Sequence, residues 1–176
     1  MTSDNIRHPV AASHCVSLSM REETEMRHIC DLVAQAGISV ISLPQTNLFL
    51  QARDIASRTP RGITPIHTLQ KAGVLVAAGA DNLQDPFNLV GRGDPLEIAS
   101  LLITASHLNP TEAHTLVSTN AASVVLGSPS GVAVGMKANL VAVNATTIRE
   151  SIAMGPPDRH VVYGGVVIDE QFRNRK

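Results

Sequence analysis

The sequence predicts an α/β fold: a parallel sheet with helices over residues 1–127, then a small β segment over 128–176. Three observations carry that reading. Apolar runs of strand length alternate with segments of helical period between residues 9 and 80, the signature of βαβ units and a parallel sheet. Near residue 127 the chain changes to short β-branched runs broken by glycine. Its 176 residues, 44% hydrophobic, suffice for one ordinary core.

The elements follow in order. "PVAASH" (9–14) reads as a buried strand. "SMREETEMRHICDLVAQAG" opens with a capping box, Ser19 with Glu22, repeats Met26, Ile29, Val33 and Ala36 at helical spacing, and stops at Gly37. "ISVISLP" (38–44) is a β-branched second strand, and a solvated polar stretch with Arg53, Arg58 and Arg61 follows it. "TPIHTLQKAG" (64–73) is a short helix with Thr64 as cap, and "VLVAAGA" (74–80) is the third strand. All three strands look apolar on both faces, as strands covered by layers on either side do. Cap logic recurs at Asp94-Pro95 with Glu97 and at Asn109-Pro110 with Glu112, and a last helical piece ends at Gly127. "GVAVGMKANLVAVNA" (131–145) and "RHVVYGGVVID" (159–169) are β runs, the second a hairpin around Gly164-Gly165.

Composition excludes several function classes. A formal net charge of -1, from 14 basic and 15 acidic residues, lacks the field that grips nucleic acid. Aromatics make up 2% and Trp is absent, so base-stacking platforms are not expected. Two cysteines, Cys15 and Cys30, suit a reducing compartment rather than a disulfide framework. "MTSDNIRHPV" has no apolar centre for a leader, and no run approaches the ~20 residues of a membrane helix. A soluble cytoplasmic protein with no membrane contact is expected.

In parallel α/β folds, ligand sites lie at the C-terminal ends of the strands. The first strand ends at Ser13-His14-Cys15, the second runs into Pro44, Asn47 and Gln51, and the third ends at Asp81-Asn82 behind Gly79 and Ala80. A His and an Asp facing each other across such a rim can do general acid–base work or hold a metal. Each has a plainer reading, as a polar rim residue for His14 and as a cap or turn former for Asp81. Asp85-Pro86 reads as a turn, and "GRGD" (91–94) as a turn feeding a cap. "GVAVGMK" lacks the spacing of a phosphate-binding loop. His28 and His67 fall within helices, and His107, His114 and His160 away from the strand ends, so no chemistry is expected of them.

Taken in order, "ASHCVSLS", "SLPQTNLFLQAR", "PRGITPIHTLQKAGVLVAAGADNLQDPFNLVGRGDPLEIA" and "NAASVVLG…GVAVGMKANLVAV…VVYGGVVI" resemble the cytosine deaminase-like and N-isopropylammelide amidohydrolase-like branch of the amidohydrolase superfamily. The resemblance runs from about residue 9 to 169. It implies a partial (β/α)8 TIM barrel, strands 6 to 8 with their helices, followed by a segment of a small β-sandwich. It further implies a metal-dependent hydrolase of non-peptide C–N bonds acting on a small nitrogen heterocycle. One divalent ion, zinc or iron, is the implied cofactor. By this resemblance Asp81 matches the aspartate that binds metal and handles the proton of the attacking water. His14 matches the histidine beside that water. Asn82, Phe87 and Gln51 match the substrate's surroundings, with Asn82 standing where bacterial cytosine deaminase carries an acid.

The family's His-x-His pair has no counterpart, since no two of the seven histidines sit two apart. A complete barrel needs about 250 residues, so the remaining metal ligands are expected outside this chain. Three readings stay open. The chain is the C-terminal part of an amidohydrolase and inactive alone; or it is one subunit of a split enzyme whose N-terminal-half partner chain brings strands 1 to 5; or it is a non-catalytic α/β interaction module, and a homo-oligomer is the other partner considered.

Overall fold

A computed structural model describes residues 8–128 and 131–168. The expectation placed on residues 1–7 and the end of the 159–169 run, beyond Ile168, lie outside that range. The apolar runs fold into a parallel sheet ordered β1-β2-β3, from β1 (Ala11–Ser13), β2 (Ser39–Ser42) and β3 (Val76–Ala78). Ala12 lies opposite Val40, and Val40 opposite Val76, so one sheet face is apolar across all three strands. Helix α1 (Glu23–Gln35) and the shorter α2 (Pro44–Leu50) and α3 (Ile66–Lys71) lie between the strands in sequence.

Val40, Val76 and Ala78 join Cys30 of α1, Ile66 and Leu69 of α3, and residues of α4 (Pro95–Ser106) and α5 (Pro110–Val117) in one buried cluster. Each large aliphatic side chain there contributes about 1.5–3 kcal/mol. The expectation of strands covered on both faces fails at β1. Ala11 and Ser13 are exposed, because β1 is an edge strand paired only with β2.

Several local expectations change for physical reasons. The Ser19–Glu22 capping box does not form: Val16–Met20 coils into a 3-10 turn, where the Ser19 hydroxyl donates to the Val16 carbonyl at 2.8 Å. Short hydroxyl side chains favour such local bonds over a cap. The buried stripe of α1 runs through Met26, Cys30, Val33 and Ala34, while Ala36 is exposed. Thr64 does not cap α3; its side chain is spent elsewhere, as described below. Arg61 is not merely solvated, since Nη1 donates to the Ala105 carbonyl at 2.9 Å, serving the C-terminus of α4. Arg53 lies over the Phe49 ring, 4.1 Å from its centre.

The caps at Asp94 and Asn109 hold. Asn109 and Glu112 form a full box at the start of α5, but Glu97 instead pairs with Arg92 at 3.1 Å. Helix α6 (Thr119–Leu126) ends at Gly127, and its Asn120 Nδ2 donates to the Val76 carbonyl at 2.8 Å. Beyond it an antiparallel sheet, β4-β5-β6, forms from β4 (Leu140–Val143), β5 (Arg159–Tyr163) and β6 (Val166–Val167). Gly164 and Gly165 both take positive φ, 58° and 84°, as a two-residue hairpin turn requires. Of the 131–145 run only Leu140–Val143 is strand, and α7 (Ile148–Met154), which the periodicity does not announce, follows it. Ile152 of α7 belongs to the main buried cluster, and Val143 packs against it.

A two-pronged ion pair fastens the second sheet to the first part. Arg159 donates from Nη1 and Nη2 to the two Asp94 oxygens at 2.9 and 2.7 Å, while Asp94 also accepts from Leu96 N at 3.0 Å. The Arg159 hydrogen bonds hold the Asp94 carboxyl below its ordinary value of 3.8. Ionised Asp94 therefore adds stability that is whole above 3.8 and is lost as pH falls through the lower folded-state value. Asp94→Asn keeps a capping oxygen but loses the charge. It lowers the unfolding free energy by about 1–3 kcal/mol in neutral urea titrations, and the gap to the unaltered chain closes progressively below pH 3.8.

Candidate active site at the parallel strand ends

The chain leaves β1 and β3 at opposite edges of the parallel sheet, about 10 Å apart at the backbone, two strand spacings. Two side chains span that gap. His14 Nε2 lies 3.4 Å from Asp81 Oδ2, with the side chains 40% and 30% exposed. The pair thus sits in an open rim rather than in packed core, and the sequence expectation that these two share one mouth is met.

His14 is delivered by an unusual backbone. It and Cys15 both adopt left-handed φ, 64° and 51°, a conformation costing about 1–3 kcal/mol per non-glycine residue and maintained only by strong surroundings. Those surroundings are present. His14 N donates to the Ile41 carbonyl at 2.9 Å, and the buried Thr64 hydroxyl donates to the His14 carbonyl at 2.5 Å. The imidazole is held in turn, with Nδ1 2.8 Å from Asn47 Oδ1. Burial pushes the Cys15 thiol above its ordinary value, which weakens it as a nucleophile.

Asp81 is held through its main chain. The Thr46 hydroxyl donates to the Asp81 carbonyl, and the next residue of α2, Asn47, takes His14. The Asp81–Asn82 peptide is cis. Downstream, Asp85 organises a compact loop by accepting from Asn82 Nδ2 at 2.7 Å, Phe87 N at 2.8 Å and Asn88 N at 3.1 Å. Buried Asn88 donates Nδ2 to the Asn82 carbonyl at 2.7 Å. A Cβ on Gly91 would collide with that same carbonyl, so this close approach requires glycine.

The remaining sequence candidates are arranged differently. The Asn82 amide faces Asp85. Phe87 is 54% exposed, with its ring on the surface of the loop. Gln51 ends α2 with Oε1 buried against Gly62, and no hydrogen bond joins it to His14 or Asp81 among the described residues. Sequence reasoning placed Asn47 at the second strand's end but gave it no role, and it missed Thr46 and Thr64. The only available signal was their place just after β2 and just before α3.

The Asp81 carboxylate accepts no backbone N–H and has His14 as its one side-chain partner among the described residues. An oxygen donor with free lone pairs at an open rim fits one position of a divalent-cation site. Alone it does not complete one. Among the described residues no group of three or more His, Cys, Asp or Glu could hold a metal ion, and a catalytic zinc normally has three protein ligands.

The His14–Asp81 contact lies at the carboxyl ends of parallel strands, the place where parallel α/β folds and barrels build their sites. The chain belongs to the amidohydrolase family, whose profile matches residues 2–172. It is 39% identical over 168 residues to the pterin deaminase of Rhizobium rhizogenes (strain K84 / ATCC BAA-868), covering 93% of this chain and 38% of that protein. It also overlays the 5-methylcytosine deaminase of Klebsiella pneumoniae liganded with 5-fluorocytosine, at 28% identity and a TM-score of 0.82. There the match covers 90% of this chain and 40% of that one. The N-isopropylammelide isopropylaminohydrolase of Burkholderia multivorans ATCC 17616 shares the fold, at 24% identity and a TM-score of 0.75, over 90% of this chain and 38% of that one. The chain thus spans about two-fifths of the length of these relatives.

Thr64→Val keeps shape but strips the donor from the His14 carbonyl. It costs about 1–3 kcal/mol in urea unfolding, whereas Thr64→Ser stays close to the unaltered chain.

Proposed function

We propose that this chain carries the acid–base residues of an amidohydrolase that removes an exocyclic amino group, by hydrolysis, from a small planar nitrogen heterocycle. The observation that carries the reading is the His14–Asp81 pair, 3.4 Å apart across the ends of the two outer parallel strands. Support comes from membership of the family and from the deaminases among the relatives.

The roles are those the family resemblance suggests, and the contact between His14 and Asp81 supports them. Asp81 takes a proton from the attacking water as its oxygen bonds to the ring carbon, then passes that proton to the departing amine as the C–N bond breaks. His14 Nε2, beside Asp81 Oδ2, stabilises the charge that develops there. Phe87 and the apolar loop around it provide a face for a flat ring. Asn82 acts by holding Asp85 and so the loop, and Gln51, packed against Gly62, is kept as a substrate neighbour on the resemblance alone. A divalent ion, zinc or iron, would when bound lower the pKa of a water from about 16 toward about 7. Asp81 would be one of its ligands, and the others would come from polypeptide beyond the described residues.

That polypeptide also completes the architecture. The reading treats the parallel sheet as three strands of a (β/α)8 barrel over residues 1–127, and β4-β5-β6 as part of a second, sandwich-like unit over 128–176. The outer edge of β1 carries no strand partner among the described residues and accepts the neighbouring barrel strand, whether on the same chain or another.

The test replaces the matching region of the Rhizobium rhizogenes pterin deaminase with this chain and follows ammonia release from pterin, cytosine and 5-methylcytosine, together with metal content. Turnover of at least one of these is expected. Asp81→Ala lowers it at least about 100-fold and reduces bound metal. An Asp81→Ala protein with full turnover overturns the assignment, and a folded, metal-loaded but inactive chimera favours a non-catalytic module.

A further inference from the structure

We infer that the cavity between the segment leading into α3 and the end of α4 is a binding site for a small oxyanion of the phosphate class, gripped by Arg61. The site stands apart from the proposed reaction, since His14, Asn47 and Asp81 are not among the residues that line it.

The cavity measures about 390 Å³. Its polar side chains are Arg61, His67 and His107, together with hydroxyls of Ser and Thr, and all of these can donate hydrogen bonds. No Asp or Glu is among the described residues lining it. A concave surface with a fixed positive charge, several donors and no carboxylate favours an anion.

Arg61 supplies both charge and direction. Its Nη1 donates to the Ala105 carbonyl at 2.9 Å and to His107 Nε2, and these bonds hold the guanidinium by one corner. Nε and Nη2 have no partner among the described residues. That edge is the one that takes two oxygens of an oxyanion side by side. Capping α4 therefore accounts for Nη1 and leaves the recognition edge unspent.

The imidazoles are anchored as well. A guanidinium has no lone pair to give, so His107 Nε2 is the acceptor in its contact with Arg61. The proton of that neutral ring stands on Nδ1, where it can be donated. His67 Nε2 donates to the Ser106 carbonyl at 3.0 Å. The last two carbonyls of α4, whose partial negative charge would repel an anion, are thereby occupied by Arg61 and His67. A planar carboxylate has only the two oxygens that the Arg61 edge takes. A phosphate has further oxygens for a second donor such as His107, so the tetrahedral ion is the better fit.

The test follows ¹⁵N–¹H spectra of the full chain as inorganic phosphate replaces chloride at constant ionic strength. Saturable shifts are expected at residues 61–68 and 105–107, with Kd at or below about 5 mM. Acetate binds at least about tenfold more weakly. Glycerol 3-phosphate, run in parallel, identifies the source: tighter binding than phosphate points to an organic phosphate, and equal or weaker binding to the free ion. Arg61→Lys keeps the charge but loses the planar edge, and weakens phosphate binding at least about tenfold. Thr68→Glu places a carboxylate in the cavity, leaves every hydrogen bond named here untouched and abolishes binding, while urea unfolding stays close to that of the unaltered chain. This second variant separates lost binding from lost folding. Absence of saturation by phosphate overturns the inference. So do shifts gathered at His14, Asn47 and Asp81 instead, or undiminished binding in Arg61→Lys or Thr68→Glu.

Discussion

Two consecutive side chains of one short helix determine the geometry on which everything else depends. Thr46 holds the main chain of Asp81, and Asn47 holds the ring of His14. Helix α2 follows the central strand directly, so β2 sets its position and α2 passes that position to both neighbours. The rim residues come from strands that do not touch each other, and no bond within the sheet could align their side chains to within hydrogen-bonding reach. A bracket between them can. Thr64 adds a second hold on the same histidine, from the chain approaching α3, and so supports a left-handed backbone that would otherwise relax.

Packing explains why this bracket stays in place. The face of the sheet carrying Val40, Val76 and Ala78 is buried under α1, α3, α4 and α5. The C-terminal elements are not an appendage to that core. Ile152 lies in the same cluster, and Asp94 caps α4 while grasping Arg159. One carboxylate thereby serves local helix geometry and long-range attachment together, and the guanidinium that grips it is why its proton is released more readily than usual.

Much of this was legible in the residues, and the limits have physical causes. The three parallel strands, the long α1, the caps at Asp94 and Asn109 and the Gly164-Gly165 hairpin follow from period and punctuation. So does the convergence of His14 and Asp81, because strand ends of a parallel sheet share one rim. Seven residues are too few for a period to emerge in α2 or α7; the six-residue α3 was legible only by its Pro65 and Gly73, and α7 offered comparable punctuation in Thr147, Glu150 and Gly155 that was not read. Ser19 and Thr64 misled for a related reason. A hydroxyl before a helix can cap it or bond elsewhere, and the choice lies with neighbours distant in sequence. Asn47 was visible as a polar residue in the right place, yet its partner is 33 positions away and reaches it only through the fold.

The loop after Asp81 divides its labour. Asp85, Asn88 and Gly91 fix its course from within, while Phe87, Leu89 and Val90 stand outward, more than half exposed, with no side-chain hydrogen bonds to lose. Such a scaffold lets inheritance experiment cheaply. The outward trio can drift freely, while the inward trio keeps the course of the chain beside Asp81 intact, so change at the surface of this loop need not begin by breaking its frame.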